Sequence, residues 1–160
     1  MRRHSTAQFN VADSDLVIMA ACDRLCALAG LPPVQAENSQ VLNYQVGEYF
    51  GPHFDFFEEG SGTAMLTGYG QRAATVLVYL NDDFQGGETD FPRIGVRFRG
   101  QKGDALMFRN VDAQGRPHTL TLHAGLPPTA GEKWLLSLWI RDRAPPGYGD
   151  PRVLAALQGR

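Results

Sequence analysis

A β-sandwich or jelly-roll barrel supported by one helix is the fold class this sequence predicts, and three observations carry it. One helically patterned segment near the N-terminus ends in a Pro-Pro break, short β-patterned runs follow it, and Gly, Pro, Asn and Asp clusters divide those runs. With 160 residues and 43% hydrophobic content, the chain is long enough for one core and too short for two comfortable ones. The expected division is a domain over 1–144 and a C-terminal tail over 145–160.

Over 13–29 the apolar residues Leu16, Val17, Met19, Ala20, Leu25 and Leu28 recur at helical spacing, with Asp13 as the expected N-cap and Gly30 as the stop. Pro32-Pro33 then forbids continuation. Strands are expected at 41–46, 49–56, 74–80, 96–99, 105–109, 120–123 and 134–141. The Gly-, Ser- and Thr-rich stretch 58–71 is expected to form an irregular loop, in the place of a lid.

Charge and composition narrow the function. The 15 basic and 17 acidic residues leave a net charge of −2 and are spread along the chain, so no footprint for nucleic acid or an anionic membrane is visible. No apolar run reaches the roughly 20 residues that span a bilayer, and Met1-Arg2-Arg3-His4 opens no signal-like apolar core. A soluble, cytoplasmic protein is the expectation. Cys22 and Cys26 fit neither a redox pair nor a zinc pattern and read as reduced packing residues. No nucleophile elbow and no HExxH zinc motif is present.

His53 and Asp55 stand two apart on the expected strand 49–56, and side chains two apart on a strand share a face. One imidazole and one carboxylate can then reach one metal. His123 supplies a third donor, completing the facial triad with which non-haem Fe(II) oxygenases leave three octahedral positions open. His118 is expected on the opposite face of a continuous strand, as a non-ligand. A hairpin centred near Pro128 would set His123 against Lys133 on neighbouring strands. On the return strand Lys133, Leu135, Ser137, Trp139 and Arg141 share one face, and Trp134, Leu136, Leu138 and Ile140 the other. A lysine inside a barrel is costly unless it meets an anion. Fe(II), one carboxylate and one ammonium leave an excess of positive charge that a dicarboxylate cancels.

The run 41–55 ending in Gly51-Pro52-His53-Phe54-Asp55, the run 71–80, Gly86-Gly87-Glu88-Thr89-Asp90-Phe91-Pro92 and Lys102-Gly103-Asp104 stand in order before His123 and Lys133. In these blocks the chain resembles the 2-oxoglutarate and Fe(II)-dependent dioxygenases of the prolyl 4-hydroxylase type, over about 3–143. The resemblance implies a double-stranded β-helix of the cupin-like kind, with His53, Asp55 and His123 on Fe(II). It implies that Lys133 binds the distal carboxylate of 2-oxoglutarate, assisted by the Tyr44 hydroxyl and Thr89. O₂ is the implied second cosubstrate and ascorbate the implied reductant. The implied reaction hydroxylates a prolyl residue of a peptide or protein, contacted by Arg72 and Trp139, and releases succinate and CO₂. Where this family usually carries a tyrosine the chain has Phe50, so a hydroxyl on the acceptor side is missing. Two further readings stay open: a sister oxygenase acting on another side chain or a free amino acid, and a silent cupin-like module that binds a metal or a peptide without turnover.

Overall fold

The computed structural model describes residues 2–10, 14–58, 68 and 70–147. The chain opens with β1 (Arg2–Arg3) and β2 (Ser5–Phe9), passes through α1 (Leu16–Ala29) and a 3-10 turn at Pro33–Gln35, and delivers β3 (Ser39–Tyr44) and β4 (Tyr49–His53). Next come β5 (Arg72–Tyr79), β6 (Gln85–Gly86), β7 (Thr89–Phe91), β8 (Val96–Phe98) and β9 (Ala105–Arg109). β10 (His123–Gly125), β11 (Pro128–Ala130) and β12 (Lys133–Arg141) complete the order.

The strands form a major sheet ordered β2-β3-β12-β5-β9, a minor sheet ordered β1-β4-β10-β7-β8, and the small pair β11-β6. The pairings are antiparallel. From β3 onward the chain passes repeatedly between the two large sheets, the winding of a double-stranded β-helix. No described helix is long and apolar enough to cross a membrane.

α1 forms where the periodicity places it. Asp15 Oδ1 accepts from the Ile18 N–H at 2.9 Å, and Gly30 ends the helix at φ 63°, a conformation open to glycine without strain. The cap expected at Asp13 lies outside the described residues, and Asp15 is the cap.

β12 lies between β3 and β5, and its side chains alternate between two environments. Leu138 and Ile140 are fully buried against Cys26 and Ala29 of α1 and Ala74 and Val76 of β5. Burying each such aliphatic side chain contributes about 1.5–3 kcal/mol. The same burial pushes the Cys26 thiol up to about 11, with Cys22 and Asp23 adding to the effect, so this free cysteine is a packing residue. The opposite face of β12 lies within the sandwich, where Leu135 packs with Leu42, Tyr44, Tyr79 and Phe84. β5 is buried along most of its length because α1 covers one face and the barrel interior the other.

Three expectations are corrected. β4 stops at His53, and Asp55 sits in the bend beyond it. Residues Thr119–Thr121 form a 3-10 turn, so the strand expected over 120–123 begins only at His123. The hairpin does not form, because β10 belongs to the minor sheet and β12 to the major one. Pro127-Pro128 has no N–H to donate to a ladder, and the segment instead accepts through its carbonyls, from Gly87 N to Pro127 O and from Gly47 N to Pro128 O, both at 3.1 Å. The lid expected over 58–71 falls mostly on residues outside the described set.

Candidate active site

His53 closes β4 and His123 opens β10, and the two are register partners across the minor sheet. Asp55 reaches the same point from the bend after β4, with its carboxylate 5% exposed as a residue. The ligand atoms of His53, Asp55 and His123 all lie within 4.8 Å of one another. His53 Nε2 is 3.5 Å from Asp55 Oδ1, and His123 Nε2 is 3.7 Å from Asp55 Oδ2.

The backbone fixes the imidazole tautomers. His53 Nδ1 lies 2.9 Å from Gly51 O and His123 Nδ1 lies 2.9 Å from Thr121 O, and a carbonyl can only accept. Each neutral ring therefore carries its proton on Nδ1 and aims the Nε2 lone pair at the carboxylate. Lone pairs converging at these distances repel unless a cation stands among them, so the donor set fits a divalent metal such as Fe(II).

Electrostatics keeps Asp55 and His123 in their ligating forms. Burial pushes the Asp55 carboxyl up, but His53, His123 and the Thr75 hydroxyl outweigh it and hold it below the usual carboxylate range. Burial, aided by His53, holds His123 below the ordinary histidine range, against the pull of Asp55 and the Thr121 carbonyl. Phe50 stacks on the His53 ring at 3.7 Å, and Phe108 meets the His123 ring edge-on at 4.8 Å.

Lys133 lines the same cleft, fully buried, opposite Tyr44 on β3. Its Nζ donates to Gly87 O at 2.7 Å and sits 5.3 Å from the ring centroids of both Tyr44 and Tyr79. Burial pulls its pKa down to about 7, with Glu88 opposing. A cation so desolvated is a ready partner for an anion. Thr89 borders it on β7, its hydroxyl 3.1 Å from the Tyr79 hydroxyl, which donates to Phe98 O at 2.9 Å.

Trp139 lines the cleft, and the Arg72 guanidinium lies over its indole at 3.9 Å. Arg72 is held in place by Glu37, with Nε to Oε1 at 2.7 Å and Nη2 to Oε2 at 2.9 Å. Arg141 Nε reaches the same Oε1 at 2.6 Å. Among the described residues the Trp139 indole N–H is buried without a partner.

The structure thus gathers His53, Asp55, His123, Lys133, Tyr44, Thr89 and Trp139 around one cleft and sets Arg72 behind Trp139. His118 is exposed at the head of the 3-10 turn and stands outside the donor cluster, as expected, though not by strand parity. Sequence reasoning missed Tyr79, Thr75, Asn110 and Glu37. Thr75 alone carried a local signal, as a hydroxyl inside the apolar run Ala73-Ala74-Thr75-Val76-Leu77.

Residues 39–141 match the family model described as the 2OG-Fe(II) oxygenase superfamily. Prolyl 4-hydroxylase subunit alpha-1 of Rattus norvegicus is 37% identical over 147 residues, spanning 87% of this chain and 28% of that protein. Prolyl 4-hydroxylase 1 of Arabidopsis thaliana is 33% identical over 157 residues, spanning 89% of this chain and 54% of that one. The chain therefore spans about half or less of the length of these two curated relatives. Among solved structures, the viral collagen prolyl hydroxylase of Paramecium Bursaria Chlorella virus-1 in its 2OG complex superposes with a TM-score of 0.71 at 28% identity, covering 86% of this chain and 79% of that one.

Proposed function

The chain belongs to the 2OG-Fe(II) oxygenase superfamily, and from that premise we propose that it is an Fe(II)- and 2-oxoglutarate-dependent dioxygenase that hydroxylates a prolyl residue of a peptide or protein. The observation that carries the reading is the pairing of two features in one cleft: imidazole and carboxylate lone pairs aimed at a common point, and a buried ammonium beyond them. A silent binding module has no use for both.

His53, Asp55 and His123 would hold the metal. When bound, Fe(II) supplies the oxidising chemistry that, with O₂ and 2-oxoglutarate, turns a C–H into a C–OH as the cosubstrate leaves as succinate and CO₂. The protein's own residues do the rest. Lys133 receives the distal carboxylate, with the Tyr44 hydroxyl and Thr89 beside it, and the burial of that pocket strengthens the ion pair. The Gly51 and Thr121 carbonyls keep the ligating tautomers in place. Trp139, with the Glu37-braced Arg72 stacked behind it, presents a flat aromatic wall that suits an extended peptide carrying proline, and Arg72 holds that wall in place. Ascorbate is the reductant proposed to keep the metal ferrous.

The test is incubation of proline-containing peptides with the protein, Fe(II) and 2-oxoglutarate, followed by mass spectrometry. The expected result is one added oxygen atom on proline with matching succinate. Oxygen on another residue assigns the chain to a different oxygenase, and metal binding with no consumption of 2-oxoglutarate refutes turnover.

A further inference from the structure

Asp55 is fastened to the opposite sheet by a buried relay. Thr75 Oγ1 on β5 donates to Asp55 Oδ2 at 2.7 Å, and Asn110 Nδ2 donates to Thr75 Oγ1 at 2.8 Å. Thr75 and Asn110 are both fully buried. Asn110 is itself fixed by its backbone, which donates to Ala73 O and accepts from His118 N, each at 2.9 Å. The direction of the relay follows from what each atom can do. An ionised carboxylate only accepts and an amide NH₂ only donates, so the single hydroxyl proton of Thr75 must point at Oδ2. Turning the amide round would draw that proton away and leave two bare oxygens facing each other at 2.7 Å.

We propose that Thr75 and Asn110 are positioning residues that reserve Oδ2 of Asp55 and leave Oδ1 as its single metal donor, an inference that rests on the metal site proposed above. Without the relay the carboxylate can turn, because Oδ1 faces His53 and Oδ2 faces His123 at nearly equal distances, 3.5 and 3.7 Å. A carboxylate giving both oxygens to the cation would occupy one of the three positions the cosubstrate and O₂ need. The relay thus protects the number of open positions as well as metal affinity.

The test uses Mn(II) as probe, with calorimetry for affinity and water-proton relaxation for the number of bound waters. Thr75→Val should weaken Mn(II) by about 10- to 100-fold, the usual effect of losing such a partner. Bound waters should fall from about three to about two as the carboxylate turns bidentate. Thr75→Ser, which restores the hydroxyl, should recover both values. Thermal unfolding checks the fold, and if Thr75→Val does not fold, Thr75→Ala makes the same deletion with a smaller side chain and is read in the same way. A folded, hydroxyl-free variant with wild-type affinity and water count overturns the relay while leaving the metal site standing. Failure of the wild-type protein to bind Mn(II) overturns both.

Discussion

Replacing Lys133 by Met keeps an unbranched side chain one atom shorter and removes its charge, with consequences for stability and for binding that run in opposite directions. In the ligand-free protein the ammonium is fully buried, with Gly87 O as its hydrogen-bond acceptor at 2.7 Å and two tyrosine rings beside it. That environment lowers its pKa from 10.5 to about 7 by desolvation, with Glu88 in partial opposition. The unfolded chain holds this proton up to about 10.5, so across the window from about 7 to 10.5 the unfolded state binds more protons than the folded state. Stability of the ligand-free wild type therefore rises with pH through that window, by at most about 1.4 kcal/mol per pH unit from this group. Lys133→Met removes this slope and should stabilise the ligand-free chain near pH 7 by a few kcal/mol. Affinity for 2-oxoglutarate should move the other way, weakening by roughly 3–5 kcal/mol, above about 100-fold. In the wild type, binding above pH 7 should draw in about one proton from buffer as the carboxylate recharges the lysine. Urea unfolding between pH 7 and 10, and calorimetric titration of 2-oxoglutarate with Mn(II) present in buffers of different ionisation enthalpy, read all of this. Wild-type affinity in Lys133→Met, or a wild-type stability flat in pH with no cosubstrate, refutes the reasoning.

Three further outcomes are expected. Asp55→Ala should abolish both Mn(II) binding and succinate formation, and near-normal turnover in that variant would remove the triad. Burial keeps His123 neutral and available as a donor when pH falls through the ordinary histidine range, and metal affinity should decline once a proton takes its Nε2 lone pair. An affinity unchanged down to about pH 4 in Mn(II) titrations contradicts paired histidine ligation. Gly100→Ala should cost roughly 1–3 kcal/mol by overpacking. Its Cβ would stand 2.7 Å from Tyr79 Cδ2 and 3.0 Å from Asp104 Cβ, so displacement of Tyr79 should also weaken 2-oxoglutarate; a variant with unchanged melting temperature and affinity runs against this packing.

What the sequence made legible was whatever a single element writes into its own periodicity. The alternation of β12 placed Leu138 and Ile140 toward the helix and Lys133, Ser137 and Trp139 toward the cleft, because two different environments imprint a period of two. Gly30 ends α1 for a reason equally local, its positive φ. Pairing was not legible. Nothing near Pro128 shows that β11 turns aside to β6, which sends His123 and Lys133 to different sheets. His53 and Asp55 do converge as expected, but by a bend and the pull of Thr75 rather than by strand parity. Glu37 left no trace, since its partners Arg72 and Arg141 come from distant strands and an isolated loop glutamate has no pattern.

The pairing of β12 with β3 and β5 gives the site a reading frame. β12 carries the cleft's polar wall on one side and the leucine and isoleucine that seat the helix on the other, in strict alternation. A slip of β12 by one residue against β3 and β5 would send Lys133 outward and an aliphatic side chain inward, exchanging the two faces along the strand. Loss of the anion anchor and loss of the core would arrive together. The connection 126–132 already takes up a register shift between Pro128 and Ala130, so the frame is held by the ladders on either side of β12 and not by the length of chain that leads into it.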